Sequence, residues 1–186
     1  MNIPDSRRKK ALILIDIQHI FLKRKSVKKN MICNVQKVLS KVPYDMYIEA
    51  VFFADKNSLW QQQTNWCAPR DKQTTTINKV AMLLKDKHVV SLMKSTKSAF
   101  KGNKDIKNIL HKKRIKELHI VGVDTNDCVL ATAYEAFDLG FFTYVLEECT
   151  ASSGSSLLHK NALSLLRYVN LTNNSCVEKI RMKKIT

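Results

Sequence analysis

Two residues stand where chemistry is to be expected. Cys128 follows the apolar run "HIVGV" and precedes a stretch with helical spacing, "DCVLATAYEAFDLG". A thiol at a helix N-terminus sees unpaired N–H groups and the positive end of the dipole, which favour negative charge. A free cysteine has a pKa of about 8.5, and such a position lowers it, so a reactive thiolate is expected here. Asp16 ends "KALILIDI", an apolar run without polar alternation, as in a central strand buried on both faces. Ligands of open parallel sheets gather at the carboxyl ends of such strands. The other cysteines, Cys33, Cys67, Cys149 and Cys176, form no C-x-x-C pair, and five is an odd number. A disulfide or zinc framework is therefore not expected.

These residues need elements to hold them. With 186 residues and 45% apolar content, the chain can build one substantial core, and one domain over 1–186 is expected. Short β-rich runs alternate with helical segments, the pattern of a doubly wound, mainly parallel sheet. Five or six strands flanked by helices on both faces, a Rossmann-like three-layer α/β sandwich, follow from that order. A helix is expected from Ser26 to Val42, closed by Pro43, then a strand "MYIEAVFFA" and a long irregular connection from Asp55 to Thr76. Next come a short helix "INKVAMLLK", a strand "HVVSLM", a helix "KDIKNILHKKRI", the strand "KELHIVGV", the helix after Cys128, and the strand "FFTYVLEEC". Gly140 suits the residue just past a helix end. "SSLLHKNALSLLRYV" reads as helical and "NLT" as a short edge strand. Ser175 with Glu178 has capping-box spacing that would open a terminal helix.

Several separated motifs resemble one family, the isochorismatase-like cysteine hydrolases, which include nicotinamidases and other amidohydrolases. "LILIDIQHIF" looks like its opening strand, "MKSTKSAFKGN" like its lysine segment and "VGVDTNDCVLATAYEAFDLGF" like its nucleophile segment. "ASSGSSLLHKNALSLL" is similar to its closing strand-to-helix region. The resemblance implies a catalytic triad of Asp16, Lys94 and Cys128, with Lys94 fixed by its place six residues before Phe100. Each of the three follows an expected strand, so they would converge at one edge of the sheet. The resemblance also implies an oxyanion hole from the backbone N–H groups of Asp124 and Cys128, shaped by a cis peptide between Val123 and Asp124. Candidate pocket residues are Gln18, Phe21, Trp60, Phe100 and Asp127. Aromatics in such loops, Trp66 among them, can line a pocket or fill a core.

The chemistry implied is hydrolysis of a C–N bond in a small amide or ureido substrate through a thioester. Asp16 would take the thiol proton and return it to the leaving amine, and Lys94 would stabilise the charges. True isochorismatases cleave a vinyl ether without this cysteine, so Cys128 favours C–N hydrolysis. Nicotinamidases of the family carry a metal on an Asp-x-His pair and a further histidine after the second strand. Here that region reads "ADKNSLWQQQTNW", which keeps Asp55 but contains no histidine. No metal and no cofactor are expected, and nicotinamide is not favoured as the substrate. Asp124 and Asn126 replace a small residue and an aspartate common in the family motif.

The formal charge of +16 attracts anions, and an alternative reading is a basic α/β binding module with an idle site. The lysines, however, are spread over many helices without a nucleic-acid-binding motif, so nucleic acid is not the expected partner. "ALILI" is too short for an export signal, and no run approaches the roughly 20 apolar residues of a membrane span. A cytoplasmic enzyme acting on a small molecule is expected. The family resemblance adds a homo-oligomer, a dimer or larger.

Overall fold

In β1 (Lys10–Ile15) successive side chains alternate between two separate cores, which sets the layering of the whole molecule. The computed structural model describes residues 8–22 and 25–173. Ala11, Ile13 and Ile15 join one buried cluster, and Leu12 and Leu14 join the other. That is the period-two geometry of a strand covered on both faces.

Four more strands, β2 (Met46–Phe52), β3 (Val89–Lys94), β4 (Glu117–Val123) and β5 (Phe142–Ala151), complete a sheet of order β3-β2-β1-β4-β5. All neighbouring pairs run parallel. Helix α1 (Lys25–Lys41) places Met31, Val35, Val38 and Leu39 on one face of the sheet, beside Val80 and Leu84 of α3 (Asn78–Leu84). The opposite face is covered by α4 (Ile106–Lys112), α5 (Leu130–Asp138) and α6 (Ser156–Tyr168), through residues such as Leu110, Ala133 and Leu166. The expected three-layer α/β architecture is thus present, with five strands. No helix among the described residues is long and apolar enough to cross a membrane.

Some local expectations need correction. The 55–76 connection is not irregular throughout. It contains α2 (Leu59–Thr64), whose N-cap Ser58 accepts from Gln61 N, and a 3-10 turn at Lys72–Thr74. Ala54 and Ala68 bridge across this segment, packing with Phe52 into a third, small cluster. Helix α4 is shorter than expected. Asp105 caps its start by accepting from Asn108 N, and the chain leaves the helix through Arg114, whose φ is 58°. "NLT" supplies one bridge, Thr172 to Val145, rather than a sixth strand. The capping box at Ser175 and Glu178, like Cys176, lies outside the described residues.

The order 3-2-1-4-5 reverses direction between β1 and β4, and a crevice opens at the carboxyl ends of the strands flanking such a switch point. There β1 and β4 approach closely. Gly122 has φ +123°, and a Cβ on it would lie 2.0 Å from the carbonyl oxygen of Ile15. Only glycine permits both the backbone angle and the contact.

At the opposite edge of the sheet, His119 of β4 is buried between Tyr44 and Glu117. Its Nδ1 hydrogen-bonds Tyr44 Oη at 2.8 Å, and its Nε2 hydrogen-bonds Glu117 Oε1 at 2.9 Å. Burial raises the proton affinity of Glu117, but the His119 hydrogen bond and the charges of His119, Lys10 and Arg8 outweigh it and hold the carboxyl below its ordinary range.

Candidate active site

Asp16 leaves β1 with φ 50°, an uncommon angle for a non-glycine residue, and its N–H donates to Ala50 O at 2.9 Å. This turn sets the carboxylate at the switch point, 1% exposed. Lys94, the last residue of β3, reaches it across the ends of the strands. Its Nζ donates to Asp16 Oδ2 at 2.7 Å, to Thr96 O at 3.1 Å and to Cys128 Sγ at 3.4 Å. Asp16 Oδ1 is buried with no hydrogen-bond partner among the described residues. The structure therefore brings Asp16, Lys94 and Cys128 into one cluster, although Asp16 and Cys128 are more than a hundred residues apart in sequence.

Cys128 does not sit at the first turn of a regular α-helix. It lies in a π-helical turn, Thr125–Val129, that runs directly into α5. Such turns widen the helix by one residue and are often found at functional sites. The turn begins after a cis peptide between Val123 and Asp124, at the position the sequence resemblance implies. The thiol also departs from the expectation of a lowered pKa. Burial and the neighbouring Asp16 carboxylate push it well above the ordinary cysteine range, and Lys94 only partly opposes them. A helix terminus favours a thiolate through partial charges, but loss of water around a nearly buried sulfur is the larger effect.

The two charged partners respond to the same surroundings. Burial raises the proton affinity of Asp16 against the pull of Lys94. For Lys94, burial favours the neutral amine, yet the Asp16 carboxylate and its hydrogen bond outweigh that and raise the proton affinity of the amine. A carboxylate whose proton affinity is raised by burial, beside an ammonium at 2.7 Å, is suited to accept a proton from a neighbouring thiol.

Beside the cluster lies a cavity of about 440 Å³. Phe21, Trp60 and Asp127 line it, together with Trp66 and Phe52. The aromatic wall is continuous, since Phe52 meets Trp60 edge-on at 4.9 Å between ring centroids and stacks near Trp66 at 6.0 Å. Two expected pocket residues lie elsewhere. Gln18 is fully buried behind the wall, where its amide donates to Phe52 O at 2.8 Å and to Thr74 O and accepts from Phe52 N at 2.9 Å. Its side chain saturates backbone groups and presents nothing to the cavity. Phe100 stacks on Phe141 at 6.2 Å and packs into the core beneath α4 and α5.

Sequence reasoning missed the residues that hold the nucleophile turn. Thr125, fully buried, hydrogen-bonds His159 Nδ1 of α6 at 2.8 Å. Burial holds His159 below its ordinary pKa, against the opposing pull of Glu147. Thr132 Oγ1 donates to Cys128 O at 2.7 Å and accepts from Ala99 N at 3.1 Å, linking the nucleophile turn to the segment after Lys94. Asp124 accepts from both the N–H and the hydroxyl of Ser153. Threonines and serines carry no spacing signal, and their contacts appear only once the elements pack.

The metal-bearing pattern of nicotinamidases does not fit these side chains. Where it requires Asp-x-His, this chain has Asp55, Lys56 and Asn57, and the neighbouring wall is built of Trp60 and Trp66. Among the described residues no three His, Cys, Asp or Glu side chains converge as a metal cluster. A lysine and an asparagine make a poor donor set for zinc or iron.

A parallel α/β sheet with a sulfur, an ammonium and a carboxylate gathered at its switch point defines the class of protein. The Isochorismatase domain model matches residues 10–176, and the chain belongs to that family. The isochorismatase family protein PncA of Bacillus subtilis is 40% identical over 65 residues, which are 35% of this chain and 35% of that protein. Ureidoacrylate amidohydrolase RutB of Caulobacter segnis is 35% identical over 74 residues, 40% of this chain and 30% of that one. These matches span about a third of each relative's length. The crystal structure of nicotinamidase PncA from Bacillus subtilis superposes with a TM-score of 0.71 at 25% identity, covering 86% of this chain and 95% of that one.

Proposed function

We propose that the protein is a cysteine hydrolase that cleaves a C–N bond in a small amide or ureido substrate, with Cys128 as nucleophile. The observation that carries this reading is the division of labour at Asp16. One carboxylate oxygen is held by Lys94 at 2.7 Å, and the other is buried without a hydrogen-bond partner among the described residues. Polar atoms buried without a partner are rare, and this one, beside a buried thiol, is placed to take that thiol's proton.

In this mechanism the Cys128 sulfur attacks the carbonyl carbon while its proton passes to Asp16. The backbone N–H groups of Asp124 and Cys128 receive the developing oxyanion, a role worth on the order of a hundredfold in rate or more for each donor in hydrolases. Asp16 then hands the proton to the departing nitrogen, and the C–N bond breaks to leave a thioester on Cys128. Water attacks the thioester, giving its proton to Asp16. The thiol re-forms as the carboxylic acid, or its carbamoyl equivalent, leaves. Lys94 keeps Asp16 ionised at the start and balances charge as the proton moves. The amide-cleaving names of the relatives, nicotinamidase and ureidoacrylate amidohydrolase, support the bond type.

A screen of small primary amides and ureido acids tests the proposal, with intact-protein mass spectrometry after acid quench. An acyl adduct on the wild-type protein that is missing in Cys128→Ala is the expected result. Turnover that survives in Cys128→Ala would reject the role of the sulfur.

A further inference from the structure

The cavity beside Cys128 has a character opposite to that of the molecule around it. The chain carries a formal charge of +16, yet the cavity lining includes Asp16, Asp124 and Asp127 and no basic side chain among the described residues. Asp16 is matched by Lys94, and Asp124 is held by Ser153. Asp127 faces a different kind of partner. Its carboxylate pairs with Lys97, whose side chain is 57% exposed and whose Nζ also lies 4.6 Å from the centroid of the Trp60 ring. An ammonium between a carboxylate and an indole face occupies a seat with the two features that bind organic cations. Lys97 holds that seat weakly, because an exposed lysine pair loses much of its attraction to solvent and side-chain entropy.

We propose that the pocket selects amides whose body carries a positive charge beside a flat or apolar group. The substrate's cation takes the place of the Lys97 ammonium between Asp127 and Trp60. The apolar group lies along the wall of Phe21, Phe52 and Trp66, and the amide carbon reaches the Cys128 sulfur. An anionic body would meet the Asp127 carboxylate and an aromatic wall with no cation among the described residues that line the cavity. Lys97 thus acts as a resident placeholder that a neutral or anionic molecule has less means to displace. This inference rests on the hydrolase reading only for the word amide, since the charge preference belongs to the cavity itself.

The chain's two tryptophans, Trp60 and Trp66, both line the cavity, so their fluorescence reports occupancy directly. The full-length Cys128→Ala protein is titrated with three benzamides that differ at one meta position: trimethylammonio, tert-butyl and carboxylate. The first two have nearly the same shape and differ in charge. The expected order is cation first, with the cation about tenfold tighter than the tert-butyl compound, in keeping with a cation–π seat reinforced by a carboxylate. In the same background Asp127→Asn weakens the cation by about tenfold and leaves the tert-butyl compound unchanged, the pattern of a lost charge partner rather than of a damaged wall. Lys97→Met strengthens the cation several-fold by removing its competitor. Equal binding of the cation and its neutral isostere, tighter binding of the carboxylate, or weaker cation binding in Lys97→Met would each overturn the proposal. Failure of the hydrolase reading is separately visible, as cation-selective binding with no acyl adduct on the wild-type protein.

Discussion

At Asp16 and Lys94, stability and chemistry depend on the same pair of charges. Removing one member of a buried ion pair leaves the other uncompensated and typically costs about 3 to 5 kcal/mol. Lys94→Met should therefore lower stability by that order, whereas the double variant Asp16→Asn with Lys94→Met should recover most of the loss, because it buries two neutral groups. Urea unfolding of the wild type, the two single variants and the double variant measures this, and a double variant no more stable than Lys94→Met would show that the pairing is not the cause. Asp16→Asn alone should cut kcat about a thousandfold, as expected for loss of a general base. Gln18 behaves differently, because its amide serves backbone groups behind the pocket wall. Gln18→Leu strands those groups and should destabilise the protein by about 2 kcal/mol while leaving KM nearly unchanged in the folded enzyme. A large rise in KM with unaltered stability would return Gln18 to the pocket.

The elements were legible where periodicity is strong and obscure where contacts are made late. The alternation of strands and helices, the central place of β1 and the strand ends that carry Asp16 and Lys94 all follow from apolar spacing. Motif order then points to Cys128. What the sequence hides is the outcome of packing. Gln18, two residues past Asp16, looks like a pocket residue until the backbone of Phe52 claims it, and Phe100 looks like another until it stacks on Phe141. Likewise the threonine contacts around the π-helical turn at Cys128 form only once α5 and α6 are packed beside it. The far end of β4 offers a test independent of the site. Glu117 has a depressed pKa, so it contributes stability above the ordinary glutamate value of about 4.3 and loses that contribution as pH falls through its lower folded value. Glu117→Gln should be about 1 to 2 kcal/mol less stable near pH 7, with the gap to wild type closing toward pH 3. A gap independent of pH would mean that shape rather than charge is at work.

For the molecule as a whole, charge acts on the fold before it acts on any partner. A formal +16 on 186 residues repels itself, and salt screens that repulsion because the Debye length is only about 10 Å at 0.1 M. The melting temperature should rise by a few degrees between roughly 10 mM and 200 mM sodium chloride. A fall over that range would mean that attractive pairs outweigh the repulsion. The same series, run as a gel shift with duplex DNA, separates general polyanion attraction from function. Weak binding that vanishes at moderate salt belongs to the surface charge, whereas tight salt-resistant binding would support the basic binding module over the hydrolase.

The contact between Gly122 and Ile15 bears on how this chain could diverge. Any larger side chain at 122 would drive apart the two central strands and so separate the acid from the sulfur, whatever reaction was under selection. Residues at the cavity mouth, such as Lys97 and Trp60, are anchored elsewhere and can change without that consequence. Descendants of this sequence would then inherit their reactive geometry as a single indivisible trait, while their choice of substrate drifts one surface substitution at a time.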